Sequence, residues 1–220
     1  MSNSGGSNGT GGSTISRFAG TGPGTFSTTA TTLSGLNTPE GLAFDGRGDL
    51  FATNFSGNSI TEFASTGAGT FAAGITFATG GTLNNPHGLA FDARGDLFAA
   101  NLNGSTITEF AAGTTPGTFG ATSTLSGTLN GPAGLAFDGG GDLFATNFNN
   151  NSVTEFASTG TGTFAAGKTV ETGLNGPTFL AFSPLPSAPV PEASTTVSLG
   201  LLLALGLGGT VMAARKKRKA

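Results

Sequence analysis

Cysteine, tryptophan and tyrosine are absent from the 220 residues, and histidine occurs once, as His87. Without cysteine there is neither a disulfide framework nor a thiolate metal site. The absence is compatible with an oxidising compartment but does not require one. Basic residues are scarce outside the C-terminus. Five of the nine are Arg215, Lys216, Lys217, Arg218 and Lys219, which leaves four against 12 acidic residues in the rest of the chain. So acidic a body excludes nucleic acid as a partner, because phosphates are bound by clustered Lys and Arg. No glycine-rich stretch is followed by Lys-Ser or Lys-Thr, so there is no phosphate loop.

What the chain has in quantity is glycine (39 residues), phenylalanine (19 residues), threonine and asparagine. This mixture suits short strands joined by tight turns and suits helices poorly. Its spacing is ordered. Leu36-Asn-Thr-Pro-Glu-Gly-Leu-Ala-Phe-Asp45 recurs from Leu83 to Asp92 and from Leu129 to Asp138, with a degenerate copy from Leu174 to Ser183. The repeated Phe44, Phe91, Phe137 and Phe182 lie 47, 46 and 45 residues apart. Each full copy continues through a Gly48–Asn54 type segment, a Ser59–Phe63 type segment and a Gly69–Phe71 type segment. The chain opens mid-repeat: Ser13 to Phe18 matches the third segment and Gly24 to Phe26 the fourth.

One repeat therefore reads as four short strands. Asp45-Gly-Arg-Gly-Asp49 closes the first hairpin, with Asp45, Asp92 and Asp138 capping the turns through their side chains. The first two strands are apolar on both faces, so each sheet needs cover on both sides, which stacked sheets provide. A four-stranded unit of this period is that of a β-propeller blade. The Pro-x-Gly-Leu-Ala-Phe-Asp, Gly-Asp-Leu-Phe-Ala and Ile-Thr-Glu-Phe segments resemble NHL-type repeats and related six-bladed propellers over residues 13–184. The expected fold is all-β: β-propeller-like four-stranded repeats, a partial or truncated propeller, plus one C-terminal transmembrane helix. Half a blade, three full blades and one starting strand do not close a ring. The chain is a truncated reading, or closes as four blades through Leu180-Ala181-Phe182, or pairs as an open arc with another chain. Residues 1–12 favour the first: they lack the basic and apolar regions of a signal peptide and look like the turn of a preceding repeat.

Residues 185–196 form a Pro-rich linker with a Val190-Pro191-Glu192-Ala193 motif. No charge follows from Ala193 through Ala214. As a helix that run spans about 33 Å, enough for a bilayer core of about 30 Å, and 197–214 is the expected transmembrane segment. Arg215, Lys216, Lys217, Arg218 and Lys219 form a stop-transfer cluster in a cytoplasmic end, 215–220, which places the repeats on the far side. Motif, apolar run and basic end, in that order, resemble the PEP-CTERM sorting tail of Gram-negative bacteria. The resemblance implies an exosortase-like processing enzyme as partner, an inner-membrane intermediate, and release to the cell surface or extracellular matrix. Ala193 stands where that family usually has proline.

Candidate chemistry is sparse. His87 occupies the variable position of Pro-x-Gly, where other copies have Glu40, Ala133 and Thr178. Such positions line the mouth of related lyase and lactonase propellers. A lone histidine without an orienting group reads here as a loop residue. Asp45 to Asp49 lacks the ligand set of a calcium loop. Asn54, Asn101 and Asn147, like Glu62, Glu109 and Glu155, repeat in every blade, which points to structural hydrogen bonding. The sequence thus assigns no catalytic, metal or cofactor residue. It predicts a non-enzymatic surface or matrix protein that binds a polysaccharide or protein through its loops. The alternative is an exported propeller enzyme of the lyase or lactonase type whose active residues lie in further blades.

Overall fold

Each Asp-x-x-Gly-Asp turn folds a hairpin, and these hairpins organise the chain. Asp45 Oδ1 accepts hydrogen bonds from the backbone N–H groups of Arg47 (2.9 Å) and Asp49 (2.8 Å). Asp92 and Asp138 repeat the arrangement. Gly48 takes φ +87°, a conformation that a Cβ disfavours. The computed structural model describes residues 2–3, 12–67, 69–182, 198–203 and 212–217.

The first sheet is β1 (Ser2–Asn3), β2 (Thr14–Gly22) and β3 (Thr25–Leu33). The second begins with β4 (Pro39–Phe44), β5 (Leu50–Asn54) and β6 (Ser59–Phe63); a small hairpin of β7 (Ser65–Gly67) and β8 (Thr70–Phe71) then precedes its fourth strand, β9 (Ile75–Thr79). The third sheet is β10 (Pro86–Phe91), β11 (Leu97–Asn101), β12 (Thr106–Ala112) and β13 (Phe119–Leu125). The fourth is β14 (Pro132–Phe137), β15 (Leu143–Asn147), β16 (Ser152–Phe156) and, after the hairpin of β17 (Ser158–Gly160) and β18 (Thr163–Phe164), β19 (Lys168–Glu171). All these pairings are antiparallel, and within each sheet the strands lie in chain order. The repeated four-stranded sheets agree with the expected propeller-like fold. The fourth strand departs from expectation: in the second and fourth sheets the Gly-Thr-Phe segment turns back in its own hairpin, and the strand forms later. Gly69 and Gly162, both at φ +73°, turn the chain there.

Phenylalanine joins one sheet to the next. The second-strand Phe51 meets Phe91 of the following sheet edge-on at 5.2 Å between ring centroids. Phe98 meets Phe137 at 5.1 Å and Phe144 meets Phe182 at 4.9 Å in the same way. Phe51 and Phe98 are fully buried; each such burial is worth roughly 1.5–3 kcal/mol, with about 0.5–1.5 kcal/mol more from the edge-to-face geometry.

The repeated asparagines end the second strands and are buried. Asn147 Oδ1 accepts from the Asn130 N–H at 3.0 Å, and its Nδ2 donates to Ser152 Oγ (3.1 Å) and Thr154 Oγ1 (2.9 Å). Asn54 and Asn101 do the same with Asn37 and Asn84. Each asparagine thus ties the incoming loop to its sheet, the structural role its repetition suggests.

The helix expected over 197–214 finds no support among the described residues. Its described parts run as strands: β21 (Ser198–Leu203) pairs antiparallel with β22 (Met212–Lys217), and β20 (Ala181–Phe182) pairs with β21. Among the described residues no helix is long and apolar enough to cross a membrane. An apolar run must satisfy its backbone within a helix or across a sheet, and the edge at Ala181–Phe182 offers the second route. The Val190–Ala193 motif, Arg218 and Lys219 lie outside the described residues; Arg215, Lys216 and Lys217 fall in β22.

Replacing Asn147 by alanine strands the Asn130 N–H. Urea unfolding is expected to show a loss of about 1–3 kcal/mol with an unchanged m-value.

Candidate functional site

The first strand of the second, third and fourth sheets starts at Pro-x-Gly, and the glycine brings consecutive first strands together. A Cβ on Gly41 would stand 2.0 Å from the His87 carbonyl oxygen, and one on Gly88 would stand 2.3 Å from that of Ala133. Gly134 faces the Thr178 carbonyl at 2.6 Å by the same measure. No side chain is tolerated at such distances, so the repeated glycine is a close-approach residue. The pairing of first and second strands skips at this dipeptide in all three sheets, between Pro39 and Leu42, Pro86 and Leu89, and Pro132 and Leu135. Such irregularities re-aim side chains. Thr53 Oγ1 accepts from the Gly41 N–H (2.7 Å) and donates to the His87 carbonyl (2.8 Å), stitching the second sheet to the third. Thr146 accepts from Gly134 in the fourth sheet.

Glu40, His87 and Ala133 therefore occupy one position on adjacent first strands, and Thr178 takes the same place in the copy that leads to β20. His87 is in β10, not in a loop as the sequence predicts. The reason is that Pro-x-Gly is itself the start of the inner strand; proline is tolerated at a strand's first residue. The His87 ring sits between Phe55 and Phe179, each 6.3 Å away by centroid. Phe179 belongs to the start of the repeat two sheets further on, so the inner strands converge. Its copy has phenylalanine in the glycine place, and Phe179 is 52% exposed. Phe148, after the second strand of the fourth sheet, is also exposed.

The electrostatics of this wall are unusual for so polar a chain. Burial pushes the His87 imidazole below its ordinary value, against a smaller opposing hydrogen bond with the Ala133 backbone. Its Nδ1 is buried and has no hydrogen-bond partner among the described residues. Burial pushes the Glu40 carboxyl up. Shifts in these directions, caused by burial, mark the two groups as candidates for proton transfer. The sequence signal for them was the position between Pro and Gly, one of two that vary inside the repeated decapeptide.

The Asp45–Asp49 loops are filled by arginine. Arg47 Nε lies 3.1 Å from Asp45 Oδ2 and its guanidinium also binds Asp49; Arg94 binds Asp92 and Asp96 likewise. Glu62 is 4.0 Å from Arg47, and Glu109 accepts from Ser123 Oγ at 2.6 Å. Among the described residues no three histidine or acidic side chains converge to hold a metal ion.

Solved structures decide the fold class. The chain is similar to a putative 6-phosphogluconolactonase from Bacteroides uniformis, at 19% identity and a TM-score of 0.67, over 94% of this chain and 66% of that one. It is similar to a streptogramin B lyase at 14% identity and a TM-score of 0.53, over 80% of this chain and 53% of that one. The periplasmic gluconolactonase of Pseudomonas aeruginosa gives 22% identity and a TM-score of 0.56, over 71% of this chain and 46% of that one. The architecture is that of a β-propeller. The chain spans about half to two thirds of the length of these proteins. No protein-family model matches the sequence, and no curated protein matches it. The expectation that the protein is not an enzyme is corrected: the fold is shared with proteins named as lactonases and lyases.

A pH series tests the burial of His87. The folded state holds the imidazole below its ordinary 6.5, so the unfolded chain binds the proton first as pH falls. The stability tied to neutral His87 is complete above pH 6.5 and lost as pH falls below it. His87→Gln is expected to flatten that decline in urea unfolding measured from pH 8 to pH 5.

Proposed function

We propose that the chain forms the histidine-bearing sector of an exported β-propeller enzyme of the lyase or lactonase class, acting on a cyclic ester. The observation that carries this is the neutral imidazole of His87 on the inner strand, held between Phe55 and Phe179 beside the Glu40 strand. The sequence reading assigns the active residues of such an enzyme to further blades; His87 and Glu40 are groups of the required kind within this chain. In a hydrolytic ring opening, the imidazole takes a proton from water as its oxygen bonds to the carbonyl carbon. The ring C–O bond breaks, and the departing oxygen receives a proton from the imidazolium or from the Glu40 carboxyl. In an elimination the imidazole instead takes a carbon-bound proton as the C–O bond breaks. The exposed rings of Phe148 and Phe179 supply an apolar approach for the substrate.

The test is a pH-stat assay of the purified protein with δ- and γ-lactones and with a cyclic depsipeptide ester. Turnover is expected on at least one, falling about 100-fold or more in His87→Gln with folding intact, the usual scale for loss of a general base. No turnover on any of them, or turnover unaffected by the substitution, overturns the reading.

We also propose that the protein is exported through its C-terminal tail, with Val190, Pro191, Glu192 and Ala193 as the processing motif and Arg215 to Lys219 as the cytoplasmic stop. The order of motif, uncharged run and basic cluster supports it. Mass spectrometry of protein recovered from the native cell surface is expected to find a C-terminus near Ala193; an intact Arg215–Ala220 end contradicts processing.

A further inference from the structure

The second strand reads Leu-Phe-Ala-Thr-Asn in the second and fourth sheets and Leu-Phe-Ala-Ala-Asn in the third. The one difference sets Ala100 where Thr53 and Thr146 stand. The register bears out the correspondence: Thr53 pairs with Ile60, Ala100 with Ile107 and Thr146 with Val153. All three residues are fully buried. The exception falls in the sheet that carries His87.

The threonine hydroxyl has a definite task. Thr53 Oγ1 accepts from the Gly41 N–H at 2.7 Å and donates to the His87 carbonyl of the next sheet at 2.8 Å. Thr146 Oγ1 accepts from the Gly134 N–H at 2.7 Å. In the third sheet the corresponding pair is the Gly88 N–H and the Ala133 carbonyl. They belong to the same close approach: a Cβ on Gly88 would stand 2.3 Å from the Ala133 oxygen, against 2.0 Å from Gly41 to the His87 oxygen. Ala100 has no hydroxyl with which to bridge them.

The Ala133 carbonyl is engaged by the His87 side chain instead. The imidazole hydrogen-bonds to the Ala133 backbone, and that bond favours the protonated ring. Only an acceptor has this effect, so the partner is the carbonyl. A carbonyl cannot donate, so the nitrogen that faces it carries the ring proton. Nδ1 is the nitrogen without a partner. In the neutral ring it therefore keeps the lone pair, since the bond made by one nitrogen sets the state of the other.

We propose that Ala100 is a positioning residue for His87: by lacking the threonine hydroxyl it leaves the Ala133 carbonyl to the imidazole, which fixes the ring in one orientation and one tautomer. Ala100 meets no substrate and acts only through the ring. The inference rests on the reading of His87 as the group that moves the proton, and it names what holds that group ready. A threonine at 100 would take the Ala133 carbonyl, as Thr53 takes the carbonyl of His87, and the ring would lose its anchor. The third repeat thus departs from its neighbours at two places, the histidine gained and the threonine lost, and both act on the same carbonyl.

His87 is the only histidine, so the imidazole nitrogen signals in NMR of the labelled full chain belong to it alone. At a pH where the ring is neutral they are expected to show a single tautomer. Ala100→Ser and Ala100→Thr are expected to move them to a mixture of tautomers. Ala100→Val, with threonine's shape but no hydroxyl, is expected to leave them in place. On any lactone that the parent chain turns over, the serine and threonine variants are expected to lose about ten-fold or more in kcat with KM little changed. Circular dichroism checks folding, and the smaller serine carries the test where threonine does not fit. Unmoved signals in both hydroxyl variants, or a valine variant that moves them as far as threonine does, overturns the role of Ala100. If His87→Gln abolishes turnover while the hydroxyl variants leave the signals unmoved, this inference fails and the enzyme reading stands. Moved signals in a chain that turns over no lactone give the reverse.

Discussion

The insertion of one sheet's second-strand phenylalanine into the next sheet is the interaction on which the rest depends. It repeats as Phe51 on Phe91, Phe98 on Phe137 and Phe144 on Phe182. A four-stranded sheet of this composition cannot bury both faces by itself. Its neighbours complete it, so stability accumulates from junction to junction as in other repeat folds. The Asp-capped hairpins and the buried asparagines serve that contact. The first fix where the second strand begins and the second fix where it ends, and together they set the phase that points the ring at the next sheet rather than at solvent.

Much of this was legible in the residues. Asp at the start of each turn, glycine at the left-handed position and Asn at the strand end all carry local rules that need no tertiary context. The fourth strand was less legible. Gly-Thr-Phe recurs as faithfully as the strands do, yet in two sheets it belongs to a short hairpin, because the glycine preceding Thr70 and Thr163 turns the chain back. Repetition marks a repeated environment; it does not say whether that environment is a strand. The tail was ambiguous for another reason. An uncharged run of Leu, Gly, Val and Thr obeys no strict helical or strand period, and what it pairs with decides its backbone. Its length and the basic cluster after it suggested a helix, whereas Ser198–Leu203 pairs as a strand with Ala181–Phe182.

The axial wall was hidden for the opposite reason. Its backbone is the most strictly repeated part of the chain: Pro starts the strand, and Gly permits an approach that no Cβ would survive. The residue between them changes from Glu40 to His87 to Ala133 to Thr178. Read as single residues these look like noise in a repeat. Only the nearness of Phe179 to His87 shows that the starts of these repeats converge.

That contrast follows from where each residue's energy is spent. At the glycine, substitution strikes a neighbouring backbone and the fold bears the cost. At the position before it the strand pairing is irregular, and the residue there changes from copy to copy while the phenylalanine interlock is kept. Burial pushes a histidine there below its ordinary value and a glutamate there above it. The position can thus vary in side chain while the packing around it alters the acidity of whatever titratable group stands there.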